Sequence, residues 1–243
     1  MTKIFKDVNY GKEKHQTLNI YLADKGQATI IYIHGGGLTS GDKSDKENLF
    51  LNYNKNGIDV VSINYALYPD ALFPTYINDS ALAIRYIKDH YNEYNLNQKF
   101  YVEGESAGAY ISMMLCFNEE YFKNVKLNEK DIVGYIFDSS QPTTHFSVLN
   151  ERHLDPRLIR VDDAAPLYYL KEKDYQKMLI ISYKDDITCR LAQNTVLYET
   201  LKYLNIKTPY KFIVLDGTHC SSSGRIENLK FPIEDVVYQF IFK

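Results

Sequence analysis

Six short runs of β-branched and aromatic residues recur along the chain, each separated from the next by a segment long enough for a helix. They are Ile30 to His34, Val60 to Asn64, Phe100 to Glu103, Ile132 to Phe137, Met178 to Tyr183 and Lys211 to Leu215. Runs this apolar suit strands covered on both faces, and their alternation with helix-length segments is the pattern of parallel strands joined by crossover helices. An α/β fold around a mostly parallel sheet is therefore expected. Two further runs, Ile4 to Val8 and Leu18 to Leu22, are separated by a short polar stretch holding Gly11, which predicts an antiparallel hairpin at one edge and eight strands in all. Helices are expected on both faces of the sheet, over Tyr76 to Tyr91, where Ile77, Ala81, Ile84 and Ile87 form an apolar stripe, and over Ala107 to Cys116, Leu191 to Leu204 and Ile233 to Phe242.

The 243 residues suffice for one domain spanning 1–243, and 45% hydrophobic against 24% charged residues supports a full core. Lys and Arg number 28 and Asp and Glu 31, so the formal charge of −3 offers no global attraction for nucleic acid. The opening residues lack the apolar core of a secretion signal, and no stretch approaches the ~18 apolar residues of a membrane span. A cytoplasmic protein without membrane association is expected. Cys116, Cys189 and Cys220 are odd in number and far apart, which argues for reduced thiols rather than a disulfide framework or a thiolate zinc site. Nothing in the linear pattern sets an oligomeric state. The segment 139–177 is long, polar and punctuated by Pro142, Pro156 and Pro166; it is expected to form a small cap or lid over the site, since loops of this length in compact domains are usually functional.

The chemistry begins at Gly104-Glu105-Ser106-Ala107-Gly108, which follows one predicted strand and opens a predicted helix. A serine on such a turn is held with its hydroxyl exposed at the strand end, and glycines on both sides remove Cβ atoms that would collide there. The second element is His34-Gly35-Gly36-Gly37, again directly after a strand. The amides of Gly36, Gly37 and Ala107 are candidates for an oxyanion hole, each donor being worth about 3 kcal/mol where such donors have been removed. A phosphate-binding reading of these glycines lacks the following Gly-Lys-Ser/Thr or GxGxxG pattern. Serine needs a base, and His219, after the strand Lys211 to Leu215, is the candidate. The acid belongs after the strand before it, where Asp185 is the first choice, Asp186 the second, and Asp138, at the end of an earlier strand, the third. His15 and His90 read as surface residues, whereas His145 and His153 fall in the expected cap. No HExxH, paired ligand spacing or calcium loop is present, so the simplest chemistry is hydrolysis without cofactor or metal.

Together these residues resemble the α/β-hydrolase superfamily, within it the HGGG esterases related to hormone-sensitive lipase and the carbohydrate-esterase and feruloyl-esterase-like branch. The resemblance covers nearly the whole chain. It includes Val8-Asn9-Tyr10-Gly11, Leu18 to Leu22, Gly41-Asp42-Lys43, Asn64-Tyr65-Ala66-Leu67, Phe73-Pro74, Asp79 and Ala164-Ala165-Pro166. Laid on the family's acid loop, Ser182 to Cys189 favours Asp185. The sequence departs from the family at Leu38, Ala66, Ser182 and Cys189, none of which removes a catalytic group. The resemblance implies a serine hydrolase acting on small soluble short-acyl esters, including acetyl or feruloyl esters of saccharides. Two other readings stand beside it: a formamide hydrolase of the kynurenine-formamidase kind, and a noncatalytic ligand-binding protein on the same fold.

Overall fold

The computed structural model describes residues 3–223 and 232–243. Its centre is one eight-stranded sheet in the order β1-β2-β4-β3-β5-β6-β7-β8. The strands are β1 (Lys3–Asn9), β2 (Thr17–Leu22), β3 (Ala28–Ile33), β4 (Ile58–Ile63), β5 (Phe100–Glu105), β6 (Ile132–Asp138), β7 (Lys177–Asp185) and β8 (Tyr210–Thr218). The expected hairpin is present: β1 pairs antiparallel with β2, and β2 antiparallel with β4, while every later pairing is parallel.

Successive side chains of a strand point to opposite faces, and here each face meets its own helices. Ile31, Ile33, Val102 and Ile180 pack with α2 (Thr75–Tyr94), α3 (Ala107–Phe117) and α6 (Arg190–Tyr203). Ile30, Tyr32, Leu179 and Ile181 pack with α1 (Glu47–Lys55) and α7 (Pro232–Phe242). The four expected helices, now α2, α3, α6 and α7, are found within three residues of their predicted ends. Helix α1 was not anticipated, because its sequence, ENLFLNYNK, is short and rich in asparagine, a poor helix former. Leu49, Phe50 and Tyr53 on one face are fully buried against the sheet, so tertiary packing supplies what propensity does not.

Two short helices, α4 (Glu120–Asn124) and α5 (Phe146–Glu151), lie outside this frame. The segment 139–177 contains α5 and a 3₁₀ turn at Pro166–Tyr169, and its first part is packed rather than loose: Ser139, Ser140, Thr144, His145, Val148 and Leu149 are buried. Tyr110 of α3 donates to the Ala164 carbonyl at 2.7 Å, and Arg152 pairs with Asp162 at 3.0 Å. Asp79 of α2 accepts from the Ala66 amide, Gln16 and His15, at 2.9, 2.7 and 2.9 Å. One carboxylate thus ties the hairpin to the chain leaving β4.

Glu103 sits inside the sheet, 1% exposed, with Tyr53 donating to it at 3.0 Å. Burial, with Glu105 nearby, pushes its carboxyl up to about 8, against the opposing hydrogen bond from Tyr53. Between its ordinary value of 4.5 and about 8 the native chain therefore holds a proton that the unfolded chain releases, so stability is full below that window and declines as the pH rises through it. Glu103→Gln should flatten this decline. Thermal unfolding of both proteins from about pH 5 to about pH 9 checks it, and an equal slope in both would count against the assignment.

Candidate active site

Strand β5 and helix α3 leave a single residue between them, Ser106, with φ 55° and ψ −113°. A positive φ is strained for a residue with a side chain, and packing on both sides enforces it. A Cβ on Gly104 would lie 2.2 Å from the Gly108 carbonyl oxygen, and one on Gly108 would lie 1.9 Å from that of Ile33. Only glycines allow α3 to start this close to β3 and β5. The Ser106 amide donates to the Asp138 carbonyl at 2.8 Å, fixing the turn to the neighbouring strand end.

The Ser106 hydroxyl lies 2.8 Å from Nε2 of His219, and Nδ1 of His219 lies 2.5 Å from Oδ1 of Asp186. The Asp186 side chain is 1% exposed and that of His219 25%, so the imidazole is the point where this relay meets solvent. Asp185 does not take part. Strand β7 continues past its predicted end at Tyr183, with a register irregularity between Tyr183 and Asp185, and pairs Asp185 with Thr218. Asp185 is thereby an exposed strand residue, and Asp186 is the first residue free to turn toward the histidine. Asp138, the third candidate, is buried beneath the site with its carboxyl facing Glu105 and Cys220 instead.

The glycine loop comes up to the serine directly: a Cβ on Gly35 would lie 3.4 Å from that of Ser106. Gly36 and Gly37 have φ 105° and 64°. Their amides, like that of Ala107 at the start of α3, donate to no protein acceptor among the described residues. His34 shapes the loop without facing the serine: its ring stacks on Tyr65 at 4.3 Å, and its Nδ1 lies 2.7 Å from the Gly35 carbonyl. Burial lowers its pKa, with that hydrogen bond acting the other way. Behind the loop, Asp42 accepts from Asn64 at 2.8 Å, and Asn64 accepts from the Lys43 amide at 2.6 Å. Of the two cap histidines, His145 is fully buried between the rings of Tyr110 and Phe146, where burial holds its pKa well below the usual histidine range. His153 is exposed.

One cluster under the serine was not visible in the sequence. Lys46, preceding α1, pairs with Glu105 at 2.9 Å and donates to Ser223 at 3.1 Å; Ser223 itself touches Glu105 and the Cys220 carbonyl. The Cys220 amide donates to Ser139 Oγ at 3.2 Å. The turn that carries His219 is thus held from both sides by the ends of β5 and β6. Glu105, Asp138 and Cys220 bring ligand-type atoms within 4.8 Å of one another. Burial raises both Asp138 and Cys220 well above their ordinary values, which favours their neutral forms, and Lys46 supplies the cation at Glu105. Such a donor set does not favour a metal.

The assignment of Asp186 is testable on the reactivity of the serine alone. Asp186→Asn should slow labelling of Ser106 by an organophosphorus probe about ten-thousand-fold, by analogy with loss of the acid in other serine triads. Asp185→Asn should stay within about threefold, as expected for an exposed surface position, and the reverse order would restore Asp185.

Comparison with known structures gives the fold a name. Esterase B from Lactobacillus rhamnosis, inhibited by a tributyrin phosphonate, superposes with a TM-score of 0.80 at 17% identity, covering 99% of this chain and 86% of that one. A truncated carbohydrate esterase from gut microbiota gives 0.80 at 18% identity, covering 98% and 95%. Est2 from Thermogutta terrifontis gives 0.74 at 16% identity, covering 99% and 91%. The architecture is the α/β-hydrolase fold. In sequence, an acetyl esterase of Salmonella paratyphi B is 35% identical over 89 residues, which are 36% of this chain and 28% of that protein, so the match spans little more than a quarter of the relative's length. No helix among the described residues is long and apolar enough to cross a membrane. The profile of the BD-FAE family matches residues 18–201, most of the chain and both glycine motifs, and the protein belongs to that family.

Proposed function

We propose that the protein is a serine carboxylic-ester hydrolase acting on small short-acyl esters. The observation that carries the reading is the hydrogen-bonded line Ser106–His219–Asp186 at the carboxyl edge of the sheet, with unengaged amides beside the serine. The names of its relatives, acetyl esterase and carbohydrate esterase among them, support the same class.

In this reading Ser106 Oγ attacks the ester carbonyl while His219 Nε2 takes the hydroxyl proton. The oxygen of the tetrahedral intermediate is met by the amides of Gly36, Gly37 and Ala107, the last at the positive end of the α3 dipole. Asp186 keeps the imidazole in the tautomer whose Nε2 accepts, and stabilises the imidazolium once formed. His219 then gives the proton to the departing alcohol, and water, activated by the same nitrogen, cleaves the acyl-enzyme to release the acid. The segment 139–177 acts as the cap: Phe146 stands over Gly37, 3.2 Å from where a Cβ would be, and Ser147 donates to the Gly37 carbonyl.

Initial rates on 4-nitrophenyl acetate, butyrate and octanoate should fall with chain length. Ser106→Ala should reduce each by about a thousand-fold or more. Retention of most activity by this variant would overturn the reading. Serine-dependent cleavage of N-formylkynurenine with none of the three esters turned over would move the reaction to formamides.

A further inference from the structure

Between the segment 139–177 and the loop that leads from Asp186 into α6 lies a cleft of about 520 Å³ whose walls include Phe146, Leu158, Ile159 and Ile187. Three of these, Leu158, Ile159 and Ile187, are about half exposed, as apolar walls awaiting an occupant would be. Set into this lining is a cation. Arg190, the first residue of α6, is 3% exposed, and its described hydrogen bond is from Nη1 to the Ser139 carbonyl at 3.4 Å. No carboxylate among the described residues forms an ion pair with it. Burial depresses its pKa to about 10, with Asp186 and Cys220 acting in the opposite direction.

A guanidinium carries five N–H donors in a fixed fork suited to a carboxylate, and a buried one that forms no direct ion pair is costly to maintain. Gln193, one turn along α6, lines the same cleft; its carbonyl oxygen accepts from Thr143 at 3.1 Å, while its amide nitrogen donates to nothing among the described residues. Two donor groups, the Arg190 guanidinium and the Gln193 amide, thus line on one helical turn a hollow with apolar walls. The Ser106 amide donates to the Asp138 carbonyl at 2.8 Å, and the Arg190 guanidinium donates to the carbonyl of the next residue at 3.4 Å. Guanidinium and nucleophile are thus tethered to adjacent carbonyls at the end of β6.

The structure assigns to Arg190, with Gln193, a subsite for a carboxylate on the substrate, the apolar walls taking the methylenes between that carboxylate and the scissile ester. The substrate class is then a half-ester of a short dicarboxylic acid or an ester carrying a carboxylate on its alcohol. This rests on the esterase reading, which it narrows.

The test compares mono(4-nitrophenyl) glutarate with 4-nitrophenyl valerate, and 4-acetoxybenzoate with phenyl acetate. The native enzyme should favour the charged member of one pair in kcat/KM by about tenfold or more, as expected for a charge-assisted contact. The pair showing the preference tells which half carries the carboxylate. In Arg190→Gln the charged-to-neutral ratio should collapse toward one, and in Arg190→Lys it should keep an intermediate value. No preference in either pair, or an Arg190→Gln variant that slows charged and neutral esters equally, would overturn the subsite; the latter would make Arg190 a support for Asp186. Binding separates this proposal from the hydrolase reading. Calorimetry on Ser106→Ala should show the glutarate half-ester or acetoxybenzoate binding about tenfold tighter than its neutral partner, whether or not the native serine proves to be the nucleophile. Equal affinities there would remove the subsite even if hydrolysis is confirmed.

Discussion

The contact between the first turn of α3 and the end of β3 governs the site. At Gly108 the helix backbone comes so near the Ile33 carbonyl that no side chain fits, and at Gly104 the strand comes equally near the helix. A chain passing from β5 to α3 within these limits has room for one residue between them, and that residue takes a left-handed backbone conformation. The exposed hydroxyl of Ser106 is thus a product of close backbone packing. The same closeness sets the glycine loop, which leaves β3 just beyond this contact and so reaches the serine through Gly35.

The rest of the site is fastened to that contact through charge. Strand ends deliver Glu103, Glu105 and Asp138 to one buried region, where isolated ionised carboxylates would be strongly disfavoured. Lys46 compensates one of them, Tyr53 donates to another, and burial favours the protonated form of Asp138. What results is a polar layer under the serine that extends through Ser223 to the turn bearing His219. His219 is consequently aligned by β5, which leads into Ser106, and by its neighbour β6, although it arrives from the far edge of the sheet.

Much of this was legible in the sequence because it obeys short-range rules. The apolar runs named the six central strands, the polar gap at Gly11 marked the hairpin, and the glycine spacing located the serine and its loop. His219 was found by its place after the last strand. Asp186, the second choice in the sequence, is the carboxylate that meets His219, because β7 runs on past Tyr183 with a register irregularity, and side-chain period alone does not reveal where pairing to β8 stops. Helix α1 was missed because asparagines obscure its apolar face. The Lys46–Glu105–Ser223 cluster and the setting of Arg190 join residues far apart in the chain; only the sheet order brings them together.

Packed frame and cap differ in how much substitution they tolerate. Ser106 and the glycine loop are set by backbone contacts that tolerate almost no change in volume, while the cleft walls come from the excursion between β6 and β7 and from the residues entering α6. Leu158, Ile159 and Ile187 stand half in solvent, where replacement disturbs little of the core. Substitutions there can therefore reshape the cleft while leaving the close backbone contact beneath Ser106 as it is.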